Sequence, residues 1–278
     1  MRKRSAVLCV GMLCFSIFGG SAAQAGAWVP EPGKGYHKVA SNFFRATDFF
    51  GSGSNVEEFT NTNLNYYGEY GLAPRLAVFG TLAFTRLTQT AGGRRTDYVG
   101  LGDLDLGIRY GLLTEPFVLS TSLLWKSPYF YDDDVALPPG NGQNDLEFRL
   151  LAGKSLGRWG YLGVENAYRF RFEEPSDEYR FLFEYGASLS DQLYVRTKLD
   201  LITSIQNGDP IDQGVGNPSL NPEFDLGRLE LTAGWNFRPP EGETPWGRFG
   251  VEATYTRDLY GDQTLRGDTV QLGVTFVH

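Results

Sequence analysis

Apolar and polar side chains alternate with a period of two along nearly the whole chain beyond residue 34. Successive β-strand side chains point to opposite faces, so this rhythm predicts strands, and no stretch after residue 25 could span a bilayer as a helix. In residues 58–72, Leu64, Tyr66, Gly68, Tyr70 and Leu72 share one face, and Asn61, Asn63, Asn65 and Glu69 the other. Residues 75–87 group Leu76, Val78, Leu82 and Phe84, and residues 100–112 set Leu104, Leu106, Ile108, Tyr110 and Leu112 against Asp103, Asp105 and Arg109. Phe117, Leu119, Leu123 and Trp125 follow, then Leu146, Phe148 and Leu150 opposite Asp145, Glu147 and Arg149. Further on, Leu162, Val164, Tyr168, Phe170 and Phe172 oppose Glu165, Arg169 and Arg171, and Tyr179, Phe181, Phe183, Tyr185 and Leu189 oppose Arg180 and Glu184. Leu193, Val195, Leu199 and Leu201 oppose Arg196, Lys198 and Asp200. Residues 223–237 and 248–256 continue the pattern with Leu229, Leu231, Ala233 and Trp235 and with Phe249, Val251, Ala253 and Tyr255. With a less regular first strand over 34–47 and a last one at the chain end, this makes roughly twelve segments of the length a tilted membrane-spanning strand needs.

Connections alternate in length. Ala73-Pro74-Arg75, Thr114-Glu115-Pro116, residues 157–160 and Ser190-Asp191-Gln192 are short, whereas stretches near 48–57, 88–99, 127–144, 207–222 and 258–267 are longer and rich in Gly, Asp, Asn and Pro. Outer-membrane barrels keep short turns on the periplasmic side and longer loops outside, so the chain orients itself. Residues 174–178 are short for an outer loop, and 238–247 are long for an inner turn.

The last segment, with Val270, Leu272, Val274 and Phe276 on one face and His278 at the end, reads as a closing strand carrying the signal for the barrel-assembly machinery. Its final residue is His where such barrels usually end in Phe or Trp. At the other end, Arg2-Lys3-Arg4 precede an apolar run from Ala6 to Phe18 and small residues ending in Ala23-Gln24-Ala25. This is the layout of a secretory leader cut after Ala25, with Ala25-Gly26-Ala27 as a second possible site. The expected organisation is a leader over 1–25 and one barrel domain over 26–278.

Composition sharpens this picture. Cys9 and Cys14 both lie in the leader, which excludes disulfides, cysteine metal sites and thiol catalysis in the processed chain. Loss of the leader's three cations makes the processed chain more acidic than the precursor's −8, against a nucleic-acid partner. A mean hydropathy of −0.27 suits a barrel, because only alternate residues meet lipid. A soluble lipocalin-like or sandwich fold would show the same alternation with its apolar rows turned inward. Aromatic residues at strand ends, Tyr66, Tyr67 and Tyr70 or Trp125 with Tyr129 and Tyr131, match the two interfacial girdles of a membrane barrel and decide against it. The expected fold is an all-β transmembrane antiparallel up-and-down barrel in the outer membrane of a Gram-negative bacterium, in contact with membrane lipids and lipopolysaccharide.

Two stretches, Val99-Gly-Leu-Gly-Asp103-Leu-Asp-Leu-Gly107-Ile-Arg-Tyr110 and Leu137-Pro-Pro-Gly140-Asn-Gly142-Gln-Asn-Asp145 leading to Gly153-Lys-Ser-Leu156, resemble the outer-membrane transporter family named for the meta pathway of phenol degradation. The resemblance implies a small-molecule uptake barrel associated with aromatic or other hydrophobic compounds. It carries over no ligand residues.

The residues themselves place a charged ladder in the lumen: Asp103, Asp105, Glu147, Glu165, Glu184 and Asp200 against Arg109, Lys126, Arg149, Arg169, Arg171, Arg180, Arg196 and Lys198. Such a ladder either selects small polar or zwitterionic solutes by its field across a constriction or pairs across the lumen and plugs it. A cation excess between residues 145 and 200 favours the pore. Asp103 and Asp105, about 6–7 Å apart along a strand, are expected to salt-bridge. Enzymatic barrels of this size exist, but serine chemistry needs a histidine in reach, and His37 and Ser41 lie about 13 Å apart along their strand. Asp132-Asp133-Asp134 fits no defined calcium loop and reads as a solvated tip, and Gly51-Ser-Gly-Ser54 as a flexible loop. No cofactor and no metal are expected. The function read from the sequence is passive passage of small solutes, with the third and fifth long loops controlling access. A non-transporting surface barrel with an adhesion, biofilm-matrix or envelope-integrity role is the alternative.

Overall fold

The computed structural model describes residues 26–51, 56–132, 134–173, 175–208, 217–237 and 247–278. The leader expected over 1–25 lies outside them, as do residues 52–55, which hold most of the Gly51–Ser54 stretch, Asp133, half of the 207–222 connection and nearly all of the 238–247 connection.

Twelve strands close into one antiparallel barrel in which each strand pairs with its neighbours in sequence, and β1 with β12. They are β1 (Gly35–Phe50), β2 (Val56–Ala73), β3 (Leu76–Ala91), β4 (Arg94–Leu113), β5 (Val118–Ser127), β6 (Asp145–Ser155), β7 (Tyr161–Arg171), β8 (Glu178–Ser188), β9 (Leu193–Ser204), β10 (Asp225–Asn236), β11 (Arg248–Asp262) and β12 (Thr264–Val277). Closure removes the free sheet edge that lipid cannot solvate. The seam joins Val39 to Val274 and Phe43 to Val270, and it is finished by reciprocal backbone hydrogen bonds of 3.1 Å between Gly35 and His278.

The alternation sorts the wall as the sequence reading requires. Leu64, Phe84, Phe148 and Val274 each present about half of their surface outward (52%), whereas Asp145 and Glu147 are 1% exposed. Apolar side chains outside and buried charges inside are the inverse of a soluble barrel, and they identify hydrocarbon as the outer solvent. Irregularity in the first strand has a definite source: an extra residue on β1 between Ala46 and Asp48 forms a β-bulge against β12.

Two expected long loops are largely strand. β3 runs to Ala91 and β4 begins at Arg94, leaving Gly92 and Gly93 in a two-residue turn, both with positive φ. β11 and β12 are likewise separated by Gln263 alone. Polar residues dominate both faces there, so the periodic apolar signal ends before the hydrogen-bonded ladder does. The fifth long connection therefore has no loop to fold over the mouth.

Candidate functional site

Seen from the outer rim inward, the lumen is built in three zones. The outermost is apolar. Ala46, Phe59, Leu87 and Leu265, inward residues of β1, β2, β3 and β12, form a buried cluster completed by Leu137 from the β5–β6 connection. Phe44, Phe49, Val56 and Tyr98 pack against it. The connection is tied into the lumen by the Tyr131 hydroxyl, which donates to Asp103 Oδ1 at 2.6 Å, and by the Gln143 amide, which donates to Asp145 Oδ1 at 3.0 Å. Asn217 of the β9–β10 connection donates to the Pro138 carbonyl at 2.9 Å. Tyr131 thus turns inward and leaves the girdle assigned to it from the sequence, because half-buried Asp103 offers its hydroxyl an acceptor. Tyr129 remains on the surface.

The middle zone is an ion-pair lattice. Glu147 accepts from Arg149 (2.5 Å), Arg169 (2.8 Å) and Arg180 (3.3 Å), and Arg149 bonds onward to Glu165. Lys126 lies between Asp103 (3.2 Å) and Asp145 (3.3 Å), Arg171 pairs with Glu178 (3.3 Å), and Arg228 with Asp200 (2.6 Å). Asp145 and Glu178 join the ladder between residues 145 and 200 and match its cations one for one, which removes the expected cation excess. Asp105 differs from its expected role: among the described residues it has no ion-pair partner within 4 Å, and its buried Oδ1 lacks a hydrogen-bond donor. Lys126 is already held between two other carboxylates.

Toward the periplasmic rim, tyrosines enter the lattice. Glu184 accepts from Tyr161 (2.6 Å) and pairs with Lys198 (3.4 Å). Glu252 accepts from Tyr194 (2.5 Å) and Lys38 (2.6 Å), with Arg196 at 3.7 Å. Glu69 accepts from Arg109 (2.5 Å) and Tyr67 (3.0 Å). The sequence reading did not place Lys38, Glu69, Asp145, Glu178, Arg228 or Glu252 in the site, nor Glu230, which lies 3.7 Å from Lys198. Their alternation with outward neighbours such as Val251 and Ala253, or Leu229 and Leu231, carried the signal.

The sequence reading also missed the strap formed by residues 26–34. From β1 it runs past Gly71 of β2, where Gly33 and Gly71 are joined by a 2.9 Å backbone hydrogen bond, and past Gly111 of β4, near Val29. It ends in the lumen with Trp28 edge-on to Tyr161 of β7 at 5.7 Å and Gly26 beside Glu165 of the same strand. β7 is the wall opposite β1 in the closed cycle, so the strap crosses the periplasmic mouth. Inward glycines make room for it. A Cβ on Gly153 of β6 would strike the Trp28 ring and stand 3.1 Å from the Cβ of Ala27.

Candidate enzymatic groups stay apart. His37 Nδ1 lies 2.8 Å from the Tyr66 hydroxyl, and its ring stacks on His278 at 5.3 Å, on the outer face of the periplasmic rim. Among the described residues no group of three His, Cys, Asp or Glu is placed to hold a metal ion.

No family model and no curated protein matches this sequence. Solved structures do share its architecture. An outer-membrane channel of Pseudomonas putida F1 superposes with a TM-score of 0.71 at 16% identity, over 92% of this chain and 100% of that one. The NanC porin superposes with a TM-score of 0.50 at 11% identity, over 86% of this chain and 98% of that one. The chain has the fold of a closed outer-membrane β-barrel.

Proposed function

We propose that this barrel is a gated outer-membrane channel for small uncharged solutes with an apolar or aromatic body, of the kind the resemblance to the phenol-pathway transporter family implies. One observation carries the reading. The inner wall at the outer mouth is apolar, built by Phe59, Leu87 and Leu265, and Leu137 occupies it from a loop in the way a solute would. A buried apolar site rewards removal of hydrocarbon surface from water by roughly 25 cal/mol per Å². Below it, the lattice gives hydrogen-bonding groups to a hydroxyl or carbonyl, while its paired charges present little net field to attract an ion. Location of the P. putida channel in the outer membrane and the shared fold support the same setting. In this reading the third connection and the strap are the two gates, lipopolysaccharide surrounds the outer rim, and the strand from Val270 to His278 is offered to the assembly machinery.

The test is uptake into liposomes holding the purified barrel, comparing a neutral phenol, an aromatic carboxylate and a sugar of similar size. Faster entry of the neutral phenol is expected. Absence of both solute entry and conductance would favour the non-transporting surface barrel, for which the filled mouths and paired lattice also speak.

A further inference from the structure

We propose that processing builds the last ion pair of the lumen: cleavage after Ala25 frees the α-amino group of Gly26 beside Glu165, and this ammonium latches the strap across the periplasmic mouth. The inference rests on the leader read from the sequence and is independent of the transport reading. Hydrolysis of the Ala25–Gly26 peptide bond by an envelope leader peptidase puts the water's oxygen on the Ala25 carboxylate. Gly26 is left with an amine that takes up a proton at neutral pH.

The receiving carboxylate is already in place. A Cβ on Gly26 would stand 2.7 Å from Glu165 Oε1 and 3.2 Å from Leu151, so the α-carbon that carries the freed amine faces a carboxylate oxygen with an apolar neighbour. Glu165 gives its other oxygen, Oε2, to Arg149. Among the described residues Arg149 is the one ion-pair partner of Glu165 within 4 Å, and it bonds to Oε2, so Oε1 is left to take a further cation. The next residue of the strap, Ala27, is 1% exposed, so the chain end enters a water-poor part of the lumen, where a charge pair is strengthened. An uncleaved amide at this place has one donor and no charge, whereas the free terminus has three donors and a positive charge.

The same geometry chooses between the two cleavage sites. Cutting after Ala27 would remove Gly26, the residue beside Glu165 Oε1 and Leu151, and leave Arg149 as the carboxylate's partner. Close approach at Gly26 also explains a small first residue: any side chain there would have to displace Glu165 Oε1.

The test uses the folded barrel purified from outer membranes in detergent. Intact mass and N-terminal sequencing should give Gly26 as the first residue; a chain beginning at Trp28 overturns the proposal. The α-amine is then acetylated with an N-hydroxysuccinimide ester near neutral pH and followed by peptide mass, with the Lys34 side chain as the internal standard. Protection of Gly26 should fall by about tenfold in Glu165→Gln, the scale of one hydrogen bond to a charged group. A second variant, with two serines inserted between Ala25 and Gly26, moves the amine away from Glu165 without altering the wall, and should be acetylated as fast as an exposed terminus. If Glu165→Gln fails to fold, the insertion decides alone. Equal rates in the wild-type protein and the folded variants overturn the latch.

Discussion

Arg169 and Arg180, on neighbouring strands, donate to the same oxygen of Glu147, Oε2, at 2.8 Å and 3.3 Å. Arg149 holds Oε1 of that carboxylate at 2.5 Å, so three guanidiniums converge on one buried acid, and these are their shortest carboxylate contacts apart from the Arg149–Glu165 bond. Breaking such a site by removing one partner costs more than the pair contributes, because the remaining charges stay buried without compensation. Glu147→Gln is expected to lower barrel stability by about 3–5 kcal/mol. The check is the temperature at which the heat-modifiable gel band of the folded barrel converts; an unchanged temperature would show that water solvates the three arginines.

Leu137 enters the outer apolar cluster from a connection and carries no strand pairing of its own, so its burial anchors the loop. Leu137→Ala should release it, at a local cost of about 2–5 kcal/mol. Backbone hydrogen exchange across residues 134–143 should quicken while the strands keep their protection. Entry of a neutral phenol into liposomes should rise in the same variant.

Gly153 faces Trp28 across a gap too small for a side chain. Gly153→Val should therefore push the strap off its seat while leaving the β5–β6–β7 pairing intact. Limited trypsin digestion should then cut after Lys34 faster than in the wild type, and single-channel conductance should increase. Unchanged cutting at Lys34 would mean that the strap is not held by this contact.

Asp177, in the connection between β7 and β8, joins the outer loops. Burial alone would raise its carboxyl, but the Arg171 N–H (2.7 Å), the Tyr168 hydroxyl (2.8 Å) and the Asn207 amide (2.9 Å) favour the charged form and hold it below the ordinary aspartate range. A depressed folded-state value contributes stability that is complete above the unfolded pKa of 3.8 and is lost as pH falls through the folded one. Cleavage of the 205–208 region by pepsin should therefore accelerate as the pH is lowered below that range. Asp177→Asn should flatten this dependence; a variant with the same acid profile as the wild type would remove Asp177 from the cause.

Much of the wall was legible because alternation is a local property of an extended backbone. Leu104, Leu106, Ile108 and Tyr110 had to share one face and Asp103, Asp105 and Arg109 the other, whatever the strand paired with. Bulges interrupted that logic at Ala46–Asp48, and the hairpins at Gly92-Gly93 and Gln263 escaped it, since polar residues on both faces carry no periodic apolar signal. The lattice was legible only as a set of inward charges. Arg109 was visible on β4, but its partner Glu69 sits on β2, with fully buried Ala77 of β3 between them. Lys38 finds Glu252 across the closing seam.

By itself, then, the order of residues determined a membrane wall of roughly twelve strands, its lipid-facing rows and its inward charges, since each follows from period and strand length. Tertiary structure alone decided that those charges pair off, that Asp105 stays outside the pairing, that Leu137 fills the outer mouth and that residues 26–34 cross the inner one. Those outcomes depend on which strands face each other across the lumen, and that distance exists only once the sheet has closed.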